Sequence, residues 1–311
     1  MATSPAVVVQ AREVVRRHRN GRGVGPVDLV IRAGETMALM GRNGCGKTTL
    51  LRLLATVSRP QAGELRWFGG GARSARAHLG LALDGALEDA GLSGRQATHF
   101  WCAQWVTDGA ELAVRTDSML RRLGLGPVAD DPVGSYSFGM RRRLALAAAL
   151  VHDPALALLD EPTAGLDPDG AAQLGLLLAE RSRQGSSTLV ASNDAGFVES
   201  AADSVTFLDE GMVVRCASPA NLLAELPAGR VAELVIDGGG SPPALQEVDG
   251  VTEVSAAGGV VTVRFSGDHA VAALVAVADA PGGRLRELRL RRPDLADCFR
   301  ALTGRPLQER S

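Results

Sequence analysis

Eight residues constrain this chain more than any other stretch. Gly41-Arg42-Asn43-Gly44-Cys45-Gly46-Lys47-Thr48 has the form G-x-x-x-x-G-K-[ST] and lies between the apolar run TMALM and the leucine-rich TTLLRLLA. TMALM reads as a short strand, and TTLLRLLA as a helix with leucines at helical spacing. Glycines at such a junction let backbone N–H groups turn inward onto phosphate oxygens, and the helix N-terminus adds a favourable dipole. Lys47 then reaches the β- and γ-phosphates, and the Thr48 hydroxyl can ligate Mg2+. Of the 33 basic residues, 32 are arginine and Lys47 is the single lysine. Lysine is a compact point charge and arginine a planar fork, so a site that keeps its lysine against that bias has room for the point charge alone. A strand feeding straight into a phosphate-binding helix implies an α/β fold that takes a nucleotide.

Such a loop needs a carboxylate across the site to hold the metal. In ALALLDEPTAGLD (155–167), Ala155 to Leu159 read as a buried strand, and Asp160 and Glu161 emerge at its C-terminal end, where open parallel sheets bind ligands. Two adjacent acids there can divide the work, Asp160 on the metal's shell and Glu161 polarising a water. Upstream, GSYSFGMRRRLALAAALVHDP turns helical from Met140. Ser137 and Gly139 set a hydroxyl and a free backbone at its start, an anion-binding arrangement that is also an ordinary helix cap. Arg141 to Arg143 oppose the helix dipole and are expected to face solvent or a partner. A further strand, STLVAS (187–192), ends on Asn193.

Net charge of −2 and a pI near 6.2 leave no electrostatic footprint for nucleic acid. The longest apolar candidate, LALAAALV, stops at His152-Asp153-Pro154, well short of the ~18 residues of a membrane span. MATSPAVVVQ has neither the basic start nor the long apolar core of a secretory leader. Four cysteines (Cys45, Cys102, Cys216, Cys298) share no metal or redox spacing, as expected of reduced thiols in a cytosol. At 311 residues, two domains are expected.

Taken together, GRNGCGKTT, YSFGM, LALLDEP and AGLD, in that order, resemble the nucleotide-binding subunit of ABC transporters over about residues 5–225. The resemblance implies a P-loop ATPase core with an N-terminal β subdomain and a helical subdomain at about 86–150. It implies ATP and Mg2+ as ligands. Gly41 to Thr49 would cradle the phosphates, Thr48 and Asp160 would hold Mg2+, and Glu161 would be the general base. In that family two subunits pair head to tail, so Ser137 and Gly139 would touch the γ-phosphate on the opposite subunit and Asp167 would lie at the dimer contact. The helical subdomain would grip a separate membrane permease, leaving the chain cytoplasmic and peripheral on the inner face of the membrane.

Several positions depart from the family pattern. The aromatic ring that stacks on adenine is replaced by His18. The glutamine that senses Mg2+ and water is replaced by Asp84, a possible metal ligand with an extra charge; Gln96 and Gln104 fit that place less well. Phe138 and Met140 stand where Gly and Gln are usual. Asn193 occupies the place of a histidine that contacts the γ-phosphate; it donates a hydrogen bond without charge and over a shorter reach. ATP binding is therefore expected to survive and hydrolysis to be slower or differently arranged; capping the next helix is the plainer role for Asn193, and the two are compatible. Trp101 and Trp105, four apart, are expected on one helix face, as core or as a docking surface.

From 226 to 311 the order strand, helix, strand, strand, helix, strand suggests a small ferredoxin-like α+β domain. Five arginines within 284–292 fit the wet face of a strand. PDLADCFRALTGR (293–305) has helix start and stop signals, and resembles the tail of bacterial ABC-2-type exporter ATPases, drug-efflux subunits included. Export through a separate permease is the expectation, with a homodimer favoured. A weakened subunit paired with a more active ATPase, and a soluble non-transport ABC protein, are the rivals.

Overall fold

The computed structural model describes residues 6–83, 91–237, 243–257, 259–267, 269–279 and 284–307. They form two compact units, Met1–Pro219 and Ala220–Ser311.

The first unit opens with β1 (Val7–Arg17), β2 (Gly23–Arg32) and β3 (Thr36–Met40), followed by α1 (Lys47–Leu54), β4 (Ala62–Trp67), the short α2 (Ala72–Ala75) and β5 (Leu79–Ala82). Helices α3 (Gly94–Cys102), α4 (Gly109–Arg122) and α5 (Phe138–Leu150) come next. The chain then alternates through β6 (Leu156–Asp160), α6 (Pro168–Arg183), β7 (Ser187–Ala191) and α7 (Ala195–Ala201) to β8 (Ser204–Asp209) and β9 (Met212–Ala217). The main sheet has the order β5-β6-β7-β3-β8-β9, parallel except for β9. Every residue of β3, β6 and β7 is buried, which is why these strands read as unbroken apolar runs rather than as alternation. A second, antiparallel sheet, β2-β1-β4, packs its Val9, Val14 and Ile31 into one core with Leu39, Leu50, Leu158 and Leu189.

Strand register does most to build the site. Leu39 of β3 is level with Ala191 of β7, and Ala191 with Asp160 of β6. The three chains therefore leave the sheet side by side, bringing the residues after Met40, Asp160 and Ala191 to one edge. This is the C-terminal end of the strands, where open α/β sheets take their ligands.

Short polar residues set most helix starts. Ser93, Asp108, Ser137, Asp167 and Asp194 each accept a backbone N–H from the first turn of α3, α4, α5, α6 and α7. Helix α1 has no side-chain cap and no acid in its first turn, so its leading N–H groups are left for an anion.

The second unit holds α8 (Pro219–Ala224) from Ala220 onward, then β10 (Arg230–Asp237), β11 (Val251–Ala257), β12 (Val260–Phe265), α9 (His269–Ala278), β13 (Arg284–Arg291) and α10 (Leu295–Thr303). Its antiparallel sheet runs β11-β12-β10-β13. That order, with a crossing helix before β13, is the ferredoxin-like arrangement, although a 3-10 turn, Pro243–Glu247, stands where a first helix was expected. Leu234, Val263 and Phe265 pack against Ala270, Leu274 and Ala278 of α9. Asp294 and Asp297 form a reciprocal capping box that starts α10, and Gly304 at φ 72° ends it. Arg284, Arg286, Arg289 and Arg292 are exposed, as expected of a wet face, but the Arg291 guanidinium turns inward onto Glu233 (3.0 Å) and Asp297 (2.5 Å).

Candidate active site

The loop between β3 and α1 has its shape because side chains are excluded from it. A Cβ on Gly41 would stand 2.1 Å from the Leu208 carbonyl oxygen. One on Gly46, at φ +116°, would stand 2.5 Å from Val24 Cγ1. These approaches press the loop between β8 and the hairpin of β1 and β2, and Gly46 delivers Lys47 as the first residue of α1.

Lys47 is 7% exposed and reaches back across its own loop. Its Nζ donates to the Gly41 carbonyl (2.5 Å) and to Asn193 Oδ1 (3.3 Å), and lies 3.9 Å from Glu161 Oε1. Gly41 N–H donates to the same Asn193 Oδ1 at 3.3 Å. Two donors on one atom fix the amide's orientation, since its nitrogen could not accept either. Asn193 Nδ2 consequently faces Asn43 Oδ1, 3.5 Å away. The cap of α7 is Asp194, whose Oδ1 accepts from Phe197 N–H, so Asn193 is not the helix cap. It is buried at 8% exposure against the phosphate loop.

Thr48 Oγ1 donates to Asp160 Oδ2 at 2.8 Å. A hydroxyl and a carboxylate at that spacing suit Mg2+, which is usually bound by one or two protein oxygens together with phosphate and water. Among the described residues no group of three or more His, Cys, Asp or Glu could hold a metal by itself. Glu161 differs from its neighbour. Burial pushes its carboxyl above the ordinary glutamate value, against the lowering pull of Lys47 and of the Asn193 backbone N–H. Its backbone is left-handed at φ 45°, unusual for a residue with a side chain.

These groups share a pocket of about 400 Å3 lined by Asn43, Lys47, Thr48, Asp160 and Glu161 on one side and by His18, Asn20 and Arg22 of the β1–β2 turn on the other. His18 Nε2 lies 3.2 Å from Thr49 Oγ1. Its lining includes Arg22, Arg42, Lys47 and Arg52, a cationic surround suited to a polyphosphate.

Residues 24–164 match the family described as ABC transporter. The daunorubicin resistance ATP-binding protein DrrA3 of Streptomyces coeruleorubidus is 31% identical over 308 residues, spanning 96% of this chain and 96% of the relative. The chain belongs to the ABC transporter family, as an ATP-binding subunit. Another relative of this ABC subunit, the Nod factor export ATP-binding protein I of Neorhizobium galegae, is 29% identical over 99% of the chain and 88% of its own length. Among solved structures, cbiO1 of Clostridium perfringens, part of an ABC transporter complex, aligns at a TM-score of 0.62 with 28% identity, covering 71% of this chain and 92% of that one. A dimeric ATP-binding cassette bound to ADP and Pi shares the fold at a TM-score of 0.62 and 22% identity, over 68% of this chain and 98% of its own. The chain is accordingly an ABC-type ATPase.

Not every expected residue of the ABC subunit meets at this pocket. His18, Arg42, Asn43, Gly44, Gly46, Lys47, Thr48, Thr49, Asp160 and Glu161 line it. Gly41, Cys45 and Asn193 do not line it; Gly41 and Asn193 bond Lys47, and Cys45 is buried within the loop. Asp84 lies outside the described residues. Ser137 caps α5, its Oγ accepting from Met140 N–H, and does not line the pocket. Gly139 is packed so closely that a Cβ would stand 2.3 Å from the Gly165 carbonyl. Asp167 caps α6 through Gly170 N–H at 2.9 Å.

Two expectations are corrected. Arg142 does not face solvent; it is 5% exposed and its guanidinium grips the carbonyls of Asp160 and Glu161. Dipole arguments place a charge relative to its own helix, and nothing local in RRR says that a strand end lies beneath one of the three. Trp101 and Trp105 do not share a helix, because α3 ends at Cys102. Both are over a third exposed and, with Leu79, Leu81 and His152, line a separate apolar pocket of about 260 Å3. Asn20, Arg22 and Arg52 also line the nucleotide pocket and were not foreseen. Arg22 carries no local signal beyond its place in the HRNGR turn.

Proposed function

We propose that the chain powers export, as one of a pair of ATP-hydrolysing subunits on the cytoplasmic face of a separate integral-membrane permease. The observation that carries hydrolysis is the Glu161 carboxylate, half-buried, poised 3.9 Å from Lys47 and raised above the ordinary glutamate range. A base is most effective when its pKa approaches the working pH. In this reading Lys47 and the loop N–H groups hold the β- and γ-phosphates, and Thr48 and Asp160 hold Mg2+, which offsets phosphate charge. Glu161 takes a proton from water as that water's oxygen bonds to the γ-phosphorus, and the bridging oxygen leaves with ADP. His18 lies against the adenine ring. Ser137, Gly139 and Asp167 face the opposite subunit's nucleotide and the dimer contact.

Export is supported by likeness over nearly the whole chain to proteins named for drug resistance and Nod factor export. A permease partner is supported by the partly exposed Trp101 and Trp105 beside an apolar pocket. Mg-ATP turnover by the purified chain, set beside its Glu161→Gln variant, tests the reading. Turnover that vanishes in the variant supports it; equal rates in both would overturn the role of Glu161.

One observation favours a second reading, in which the chain mainly binds ATP beside a more active partner ATPase. Asn193 Oδ1 is already engaged by Gly41 and Lys47 and its Nδ2 faces Asn43, so the position brings no charge to a phosphate. Tight ATP binding without turnover, together with a second, non-identical ATPase that copurifies, would favour this reading.

A further inference from the structure

Glu161 is held in place from an unexpected direction. Its left-handed backbone at φ 45° is costly for a residue with a Cβ and persists where surrounding structure over-determines it. One restraint is ordinary: Glu161 N–H donates to the Ala191 carbonyl of β7 at 2.7 Å. The other comes from α5. Arg142 Nε and Nη2 both donate to the Glu161 carbonyl, at 3.0 and 2.6 Å, and Nη2 also reaches the Asp160 carbonyl. The guanidinium is buried beneath the point where β6 ends and the acids emerge.

A planar fork suits this task. It can bridge two consecutive carbonyls that diverge at a chain reversal, whereas an ammonium would satisfy one at a time. Carbonyl oxygens at the strand end help to offset the cost of burying that charge. Arg142 also sits five residues after Ser137, the cap of the same helix. The backbone under Glu161 is thereby tied to the helix that begins at Ser137.

We infer that Arg142 is a positioning residue for hydrolysis, fixing the Glu161 carboxylate over the phosphate loop by clamping the backbone of Asp160 and Glu161 from helix α5. The inference rests on the reading of Glu161 as the base. A displacement of about 1 Å at a reacting group can cost on the order of a hundredfold in rate. The clamp acts on the backbone at the end of β6 rather than on the phosphate loop, so nucleotide affinity should survive its loss.

The test uses the full chain with Arg142→Gln, Arg142→Lys and Glu161→Gln, measuring Mg-ATP affinity, KM and kcat. In Arg142→Gln we expect kcat to fall about ten- to a hundredfold with affinity within about twofold of the parent. Arg142→Lys should restore part of that loss, and adding Arg142→Gln to Glu161→Gln should cost nothing further. Hydrogen exchange should quicken in peptides spanning 160–166 and stay unchanged in 155–159. Parental kcat in Arg142→Gln, or parallel losses of affinity and kcat, would overturn the inference while leaving Glu161 intact. If Arg142→Gln does not fold, Arg142→Lys carries the same comparison. Equal turnover in the parent and Glu161→Gln, including none in either, would instead overturn the reading beneath it.

Discussion

At the scale of single residues, the site is defined by what each side chain is left free to do. Asn193 spends its oxygen on Gly41 and Lys47, so its chemistry toward a phosphate is that of a neutral donor. Losing a transition-state donor outright costs about a hundred- to a thousandfold in rate. Asn193→Ala should therefore lower kcat by about that much or less, while Asn193→His should raise it above the parent. Steady-state phosphate release checks both, and a histidine variant slower than the parent would show that the loop is built for the amide. The phosphate loop was legible without a structure because its constraints are local. Glycines, one lysine and a hydroxyl at fixed spacing require no knowledge of distant partners. Arg142 was not legible, since its partners lie 18 and 19 positions away on another element.

Elements add constraints that no single residue carries. His152, just beyond α5, stacks on Trp105 at 3.9 Å between ring centres and bonds the Leu79 carbonyl of β5. Burial lowers its pKa, with Leu79 and Asp153 pulling upward and Arg181 and Arg115 downward. A histidine depressed in the folded state is neutral there, so its stabilisation is intact above its ordinary value of about 6.5 and is lost as pH falls through the depressed value. Denaturation midpoints should thus fall as pH drops below about 6.5 in the parent, and less steeply in His152→Phe, which keeps the stack. In the second unit, α10 is pinned to β13 by Asp297, a side chain 2% exposed that takes both Arg291 and Arg300. Burial raises the Asp297 carboxyl, but the bonds from Arg291 and the Asp294 N–H outweigh it and hold it below the ordinary range. Removing one partner of such a group leaves buried charge uncompensated, so Asp297→Asn should cost about 3–5 kcal/mol. Urea unfolding, followed by a probe on the second unit, measures it.

The whole molecule is one ATPase unit and one small α+β unit, and its expected working form contains two copies. Ser137 and Gly139 lie away from the pocket of their own chain, at the start of α5 beside the exposed Phe138. In the proposed pair, a site completed by a second copy would account for that placement. Mg-ATP should accordingly convert Glu161→Gln from monomer to dimer in light scattering, while the nucleotide-free protein stays monomeric. An ATP-saturated variant that remains monomeric would argue for a different partner, in line with the binding-dominated reading.

The sequence by itself determined the α/β class, the strand–loop–helix around Lys47, the paired acids after β6, the cap of α5 at Ser137 and the bounds of α10. These follow from period, turn chemistry and residue type within a dozen positions. Tertiary structure alone decided what converges. The level register of β3, β7 and β6 sets Gly41, Asn193 and Glu161 together, although up to 152 positions separate them. It also decided that Asn193 serves the loop rather than α7, and that one of three adjacent arginines turns inward to brace a strand end. Such outcomes depend on which surfaces are pressed together, and a side chain's periodicity carries no record of its neighbour across the sheet.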